Sequence, residues 1–119
     1  MNKRETGAQK ERQVCAYLVS KGVVMKERNF RCRQGEIDLI GYDGEYLVFF
    51  EVKYRSGNSK GSAAEAVDIR KQKKICRVAD YYRMLHGCAL DTPVRFDVAA
   101  VEAGRITWIK DAFPYIAAR

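Results

Sequence analysis

Residues 35–53 read Gly35-Glu36-Ile37-Asp38-Leu39-Ile40-Gly41-Tyr42-Asp43-Gly44-Glu45-Tyr46-Leu47-Val48-Phe49-Phe50-Glu51-Val52-Lys53, and this stretch decides the fold. Two runs rich in β-branched and aromatic residues flank Asp43-Gly44, which is a strong hairpin signal. With Asp43-Gly44 as a two-residue loop, Tyr42 pairs with Glu45. Glu36 then falls opposite Glu51, Asp38 opposite Phe49 and Ile40 opposite Leu47. Opposed residues share a face, so Glu36, Asp38, Glu51 and Lys53 project from one side. Ile37, Leu39, Val48, Phe50 and Val52 form a purely apolar opposite face.

Three carboxylates on one end of one face call for cations, because diagonal neighbours there are only ~7–8 Å apart. Lys53 is one candidate. A divalent metal is another, since Mg²⁺ (or Mn²⁺) takes one or two carboxylates and completes its shell with water. Without a cation, like-charge repulsion raises the pKa of at least one carboxyl.

Outward from the hairpin, Thr6-Gly7-Ala8-Gln9 reads as a capping box opening a helix to about Ser20, with Gly22 as its terminator. Ala8, Val14, Cys15, Leu18 and Val19 make its apolar stripe, and Glu11 lies in the middle of that stripe. Carboxylates are seldom fully buried unless paired, so Glu11 is either salt-bridged to the sheet or set at the edge of a site. Residues 23–31 read as a strand. Ser62-Ala63-Ala64-Glu65 is a second capping box, opening a long helix to about Leu85. Pro93 introduces a strand over Val94–Val101, and Gly104 turns the chain into a last strand, Arg105–Lys110. Helix, three strands, helix and two strands make an α/β fold, a mixed central sheet flanked by helices, in a single domain over 1–119.

Lys and Arg number 22 against 15 Asp and Glu, a net charge of +7, which puts polyanions first among partner classes. Apolar residues are 47% of the chain, enough for a core and against disorder. No apolar run approaches a membrane span, and the N-terminus lacks the hydrophobic core of a signal peptide, so a cytoplasmic address is expected. Cys15, Cys32, Cys76 and Cys88 form no CxxC pair, which argues against structural zinc.

Arg70, Lys73, Lys74 and Arg77 follow i, i+3, i+4, i+7 spacing and form a basic stripe, with Lys71 snorkelling along the apolar side. A solvated face is the plain reading of such a stripe. Phosphate contact is the alternative, supported by Lys26, Arg28, Arg31 and Arg33, and joined by Arg55 and Lys60 around the polar segment Ser56–Gly61. Asp97 shares a strand face with Arg95 and reads as half of a structural ion pair. Trp108, alternating with Ile106, reads as packing. Glu36 is open between metal ligand, ion-pair partner and positioner of Lys53.

Asp38, twelve residues, then Glu51-Val52-Lys53 resembles the D-x(n)-E-x-K core of the PD-(D/E)xK nuclease superfamily. Over nearly its full length the chain resembles the YraN-type family of small bacterial restriction-endonuclease-like proteins. Gly7-x-x-x-Glu11, GEIDLI at 35–40, FFEVKYR at 49–55, Arg70-Lys71-Gln72, Arg95-Phe96-Asp97-Val98 and Ala112-Phe113 carry that resemblance. It implies a restriction-endonuclease-like αβββαβ core, related to Holliday-junction resolvases. It also implies Mg²⁺ held by Asp38, Glu51 and the carbonyl of Val52, with Glu11 completing the site and Lys53 orienting the attacking water. Ile37 stands where the motif's name has proline, a position the superfamily varies.

The resulting expectation is a Mg²⁺-dependent endonuclease acting on DNA, including branched or structured DNA, with a homodimer compatible with cutting two strands. The alternative is a nucleic-acid-binding module with a nuclease fold and no relevant hydrolysis. A pure binder gains little from clustered carboxylates that repel phosphate. A third class, an interaction protein stabilised by internal ion pairs, predicts no nucleic-acid binding at any salt.

Overall fold

The computed structural model describes residues 3–55 and 67–118, with side chains from residue 7 onward. The elements run α1 (Lys3–Ser20), β1 (Val24–Cys32), β2 (Gly35–Asp43), β3 (Tyr46–Arg55), α2 (Ile69–Leu85), β4 (Val94–Glu102) and β5 (Arg105–Ile109). The strands form one sheet in sequence order, β1-β2-β3-β4-β5. Neighbours are antiparallel except β3 and β4, which are parallel and joined through α2. A parallel pair requires such a crossover, and a helix supplies it while covering the sheet. The architecture is therefore the α/β class that the order of elements implies. No helix among the described residues is long and apolar enough to cross a membrane.

The helices cover opposite faces. On the α2 side, Ile75, Val78, Ala79 and Tyr82 pack with Phe30, Ile37, Ile40, Leu47, Phe49 and Phe96. On the α1 side, Val14 and Leu18 pack with Leu39, Val48, Phe50, Val52, Ala99 and Val101. Phe49, Phe50 and Phe96 are the largest fully buried side chains. Each contributes roughly 2–3 kcal/mol through the area it removes from water.

Several local expectations are corrected. The hairpin turns at Gly44-Glu45, so Asp43 pairs with Tyr46 and Tyr42 with Leu47. Gly44 has φ 62° and sits first in the loop, where a type II′ turn needs positive φ. The shift is two residues, so β3 keeps its faces. On β2 they are not kept: Ile37 packs on the α2 side with Ile40, whereas Leu39 packs on the α1 side. Strict alternation would put Ile37 and Leu39 together, so the pleat is broken at Asp38.

Helix α1 begins at Lys3, ahead of Thr6, so Thr6 is inside the helix and not its cap. Ala8 is exposed and Val19 is 50% exposed, so the buried stripe narrows to Val14 and Leu18. The helix ends as foreseen, with Gly22 at φ 103° and the Val23 N–H donating to the Leu18 carbonyl in a Schellman motif. Ser62–Glu65 lies outside the described residues. Helix α2 starts at Ile69, and its cap is Asp68, whose carboxylate accepts from the Lys71 N–H at 2.9 Å. The β4–β5 turn, Ala103-Gly104, has positive φ at both positions, as a type I′ turn demands.

A candidate active site where two strands part

The β2–β3 ladder runs from Asp43–Tyr46 to Leu39–Phe50. Beyond it a side chain takes over from the backbone: Asp38 Oδ2 accepts from the Val52 N–H at 2.8 Å. The broken pleat thus turns the Asp38 carboxylate toward β3, beside Glu51. Burial pushes the Asp38 carboxyl up to about 7, with the charge of Glu51 adding and the Val52 N–H opposing; Glu11 and Glu36 contribute further repulsion. Among the described residues no Lys or Arg forms an ion pair with Asp38.

Glu51, one of two buried charged residues among those described, is 6% exposed. Its Oε1 lies 3.9 Å from Lys53 Nζ and 3.1 Å from Lys71 Nζ. Lys71 therefore corrects its reading as a snorkelling side chain. The same projection that aims it along the apolar side of α2 brings its ammonium onto Glu51. Burial works against that ammonium, but the hydrogen bond and charge of Glu51 outweigh it and raise the Lys71 pKa.

Glu11 approaches from α1. Burial and the charge of Glu36 raise its pKa, while a hydrogen bond from Asn29 and the charges of Arg28 and Arg31 oppose them. Its Oε1 is buried with no hydrogen-bond partner. A cavity of about 270 Å³ lies here, lined by Ala8, Glu11, Arg12, Arg28 and Asn29. Tyr54 closes the α1–β3 seam, its hydroxyl donating to the Gly7 carbonyl at 3.3 Å. Burial and the charges of Glu11 and Asp38 push its phenol up to about 12.

Asn29 and Tyr54 are site neighbours that reading the sequence missed. Asn29 left one signal, being a residue type that tolerates the positive φ (54°) it adopts opposite the broken pleat. Glu36 resolves as the ion-pair partner of Arg31.

Four of the expected site residues thus converge, namely Glu11, Asp38, Glu51 and Lys53. Among the described residues no three carboxylate, His or Cys side chains stand close enough to hold a metal on their own. Two carboxylates, Asp38 and Glu51, the first with no Lys or Arg ion-paired to it among the described residues, still fit a hard cation that keeps much of its water.

The basic stripe divides. Arg70, Lys73 and Lys74 are exposed on α2. Arg77 is half-buried and engaged within the fold, unlike the other three. Its Nη2 donates to the Ile116 carbonyl, its Nε lies 3.3 Å from Asp80 Oδ2, and its guanidinium covers the Tyr115 ring at 5.7 Å. The C-terminal segment that holds it forms, with Gln34, Lys73 and Lys74, a cleft of about 520 Å³. Arg55 ends β3 half-buried. Lys60 lies outside the described residues.

A second acidic centre sits on β4. Asp97 is fully buried, and both of its oxygens are occupied. Arg95 Nε and Nη2, Trp108 Nε1 and the Asp111 N–H all donate to it at 2.8–3.2 Å. Arg95 also reaches Asp43 at 2.7 Å. The expected Arg95–Asp97 pair is present, and Trp108 adds a hydrogen bond to its packing.

Comparison with known proteins gives one consistent result. The model of the uncharacterised protein family UPF0102 matches residues 10–101. A UPF0102 protein of Lachnoclostridium phytofermentans is 43% identical over 113 residues, covering 95% of this chain and 96% of its own. One from Saccharophagus degradans is 44% identical over 109 residues, covering 92% of each. One from Nitrosococcus oceani is 40% identical over 114 residues, again with 92% of each covered. The chain belongs to the UPF0102 family, the YraN-type family its motifs resemble.

Proposed function

We propose that this UPF0102 protein is a Mg²⁺-dependent endonuclease of the restriction-endonuclease-like superfamily, hydrolysing phosphodiester bonds in DNA, branched or structured DNA included. The observation that carries the reading is Asp38: a partly buried carboxylate beside the buried Glu51, pushed to about 7, with no Lys or Arg ion-paired to it among the described residues. Such an arrangement is costly in a structural role, and perturbed carboxylates of this kind concentrate at functional sites.

In this reading Asp38, Glu51 and the Val52 carbonyl hold the divalent ion, and Glu11 acts from α1 on the same site. The ion, when bound, supplies Lewis acidity and lowers the pKa of a coordinated water. Lys53 places its ammonium beside Glu51, where it stabilises charge developing on the scissile phosphate. The exposed Arg70, Lys73 and Lys74 supply sequence-independent attraction for the backbone.

The test is incubation with labelled single-stranded, duplex, flap and four-way-junction DNA in Mg²⁺, Mn²⁺ or EDTA. Wild-type protein is expected to cut in metal and not in EDTA, and Asp38→Asn, Glu51→Gln and Lys53→Ala each to lose cleavage while keeping their circular dichroism. Variants that cut as well as wild type would remove the site. Salt-sensitive binding with no metal-dependent product would instead make the chain a binding module.

A further inference from the structure

We propose that Lys71 is a stand-in cation: it neutralises Glu51 in the metal-free protein, is displaced when the divalent ion enters, and then contacts the nucleic-acid phosphate. The inference rests on the metal-centre reading above and assigns that centre a second lysine.

Lys71 Nζ is nearer to Glu51 Oε1, at 3.1 Å, than Lys53 Nζ at 3.9 Å on the same oxygen. The two ends of the pair differ sharply in exposure, 7% for the Glu51 side chain and 45% for that of Lys71. Glu51 is fixed in the central sheet, so the partner that moves is the lysine. Its backbone is held at the start of α2 by the Asp68 cap, while its tip has open solvent beside it.

An ion held by Asp38 and Glu51 would add a third cation to a carboxylate that Lys53 and Lys71 already share, and of the two ammoniums the more exposed, that of Lys71, is the freer to leave. The released ammonium starts from the same helix that exposes Arg70, Lys73 and Lys74, so it joins a basic surface already facing solvent. Metal entry thereby converts an internal ion pair into a phosphate contact. Linkage makes the effect reciprocal: nucleic acid that captures Lys71 tightens metal binding.

The readout is binding, not turnover. Mn²⁺ affinity is measured by calorimetry, and affinity for a fluorescent four-way junction by anisotropy, in Ca²⁺ and in EDTA. Lys71→Met removes the competitor and is expected to bind Mn²⁺ about five- to tenfold more tightly than wild type. Lys71→Arg, which grips a carboxylate with a fork, is expected to bind it more weakly. Junction affinity falls several-fold in Lys71→Met in Ca²⁺ and stays unchanged in EDTA, where the wild-type lysine is already held by Glu51.

Equal Mn²⁺ affinity in Lys71→Met and wild type would overturn the inference alone, as would an equal loss of junction binding in both media. Wild-type protein that binds no Mn²⁺, alone or with the junction, would overturn the metal centre and this inference together.

Discussion

Two acidic centres lie in this sheet, one on β4 and one where β2 and β3 part, and they are built to opposite plans. Asp97 on β4 is buried and saturated: a guanidinium, an indole and a backbone amide fill both oxygens. Asp38, half-buried, and Glu51, buried, at the parting of β2 and β3, are under-supplied among the described residues, with one backbone amide on Asp38 and two lysines sharing one oxygen of Glu51. Burying a carboxylate costs several kcal/mol unless donors or cations compensate it. Complete compensation in the first centre marks it as structural. Partial compensation in the second is the feature on which the proposed metal site rests.

The sharpest way to break this contrast is Asp97→Ala, which strands Arg95 and the Trp108 indole inside the fold. It should cost about 3–5 kcal/mol in urea unfolding. A loss below about 1 kcal/mol would show that the Asp97 network is dispensable, and the contrast would fail.

Asp38→Asn should act with the opposite sign. The folded Asp38 carboxyl titrates near 7 against an ordinary 3.8. The folded state therefore holds that proton more tightly than the unfolded state does. Stability contributed by this group is highest at low pH and is lost as pH rises from about 4 to about 7. Asparagine mimics the protonated form, so in EDTA the variant should exceed wild type by about 2–4 kcal/mol at pH 8, converging as pH falls toward 4. A thermal-melting series across that range decides it; a variant that melts below wild type at pH 8 would show that Asp38 is already compensated.

A subtler probe is Trp108→Phe, which keeps an aromatic ring against Phe50 and removes one donor from Asp97. It should lower stability by about 1–3 kcal/mol, measured in the same urea series, without changing junction binding. The smallest effect on the fold belongs to Lys73→Ala, within about 0.5 kcal/mol of wild type because the side chain is exposed. Its anisotropy titration should instead show weaker nucleic-acid binding and a shallower salt dependence.

How much of this was legible in the sequence depends on the range of the contacts involved. Element order and the hairpin follow from periodicity and a Gly-containing turn, both local. The register slipped because Asp-Gly reads as the two loop residues, whereas Gly44 takes the first loop position. A slip of two leaves the β3 faces intact, so the gathering of carboxylates survived it. The break in β2 at Asp38 was invisible, since Ile37 and Leu39 both look like core residues and both are.

The partners of Lys71 and Arg77 escaped the sequence for one reason. A helical projection shows where Lys71 and Arg77 point but not what waits there. For Lys71 it is a carboxylate on β3, and for Arg77 it is the chain end near Ile116. Both partners are distant in sequence, and nothing periodic announces them.

The seat of α1 bears on the order in which the protein is assembled during synthesis. Val14 and Leu18 pack not only on β2 and β3 but also against Ala99 and Val101 of β4. Helix α1, made before β4, therefore lacks a complete dock until that strand has emerged. Glu11 travels on that helix. Asp38 and Glu51, on β2 and β3, emerge before β4, so the nascent chain carries them without a fully docked Glu11 until β4 has been made.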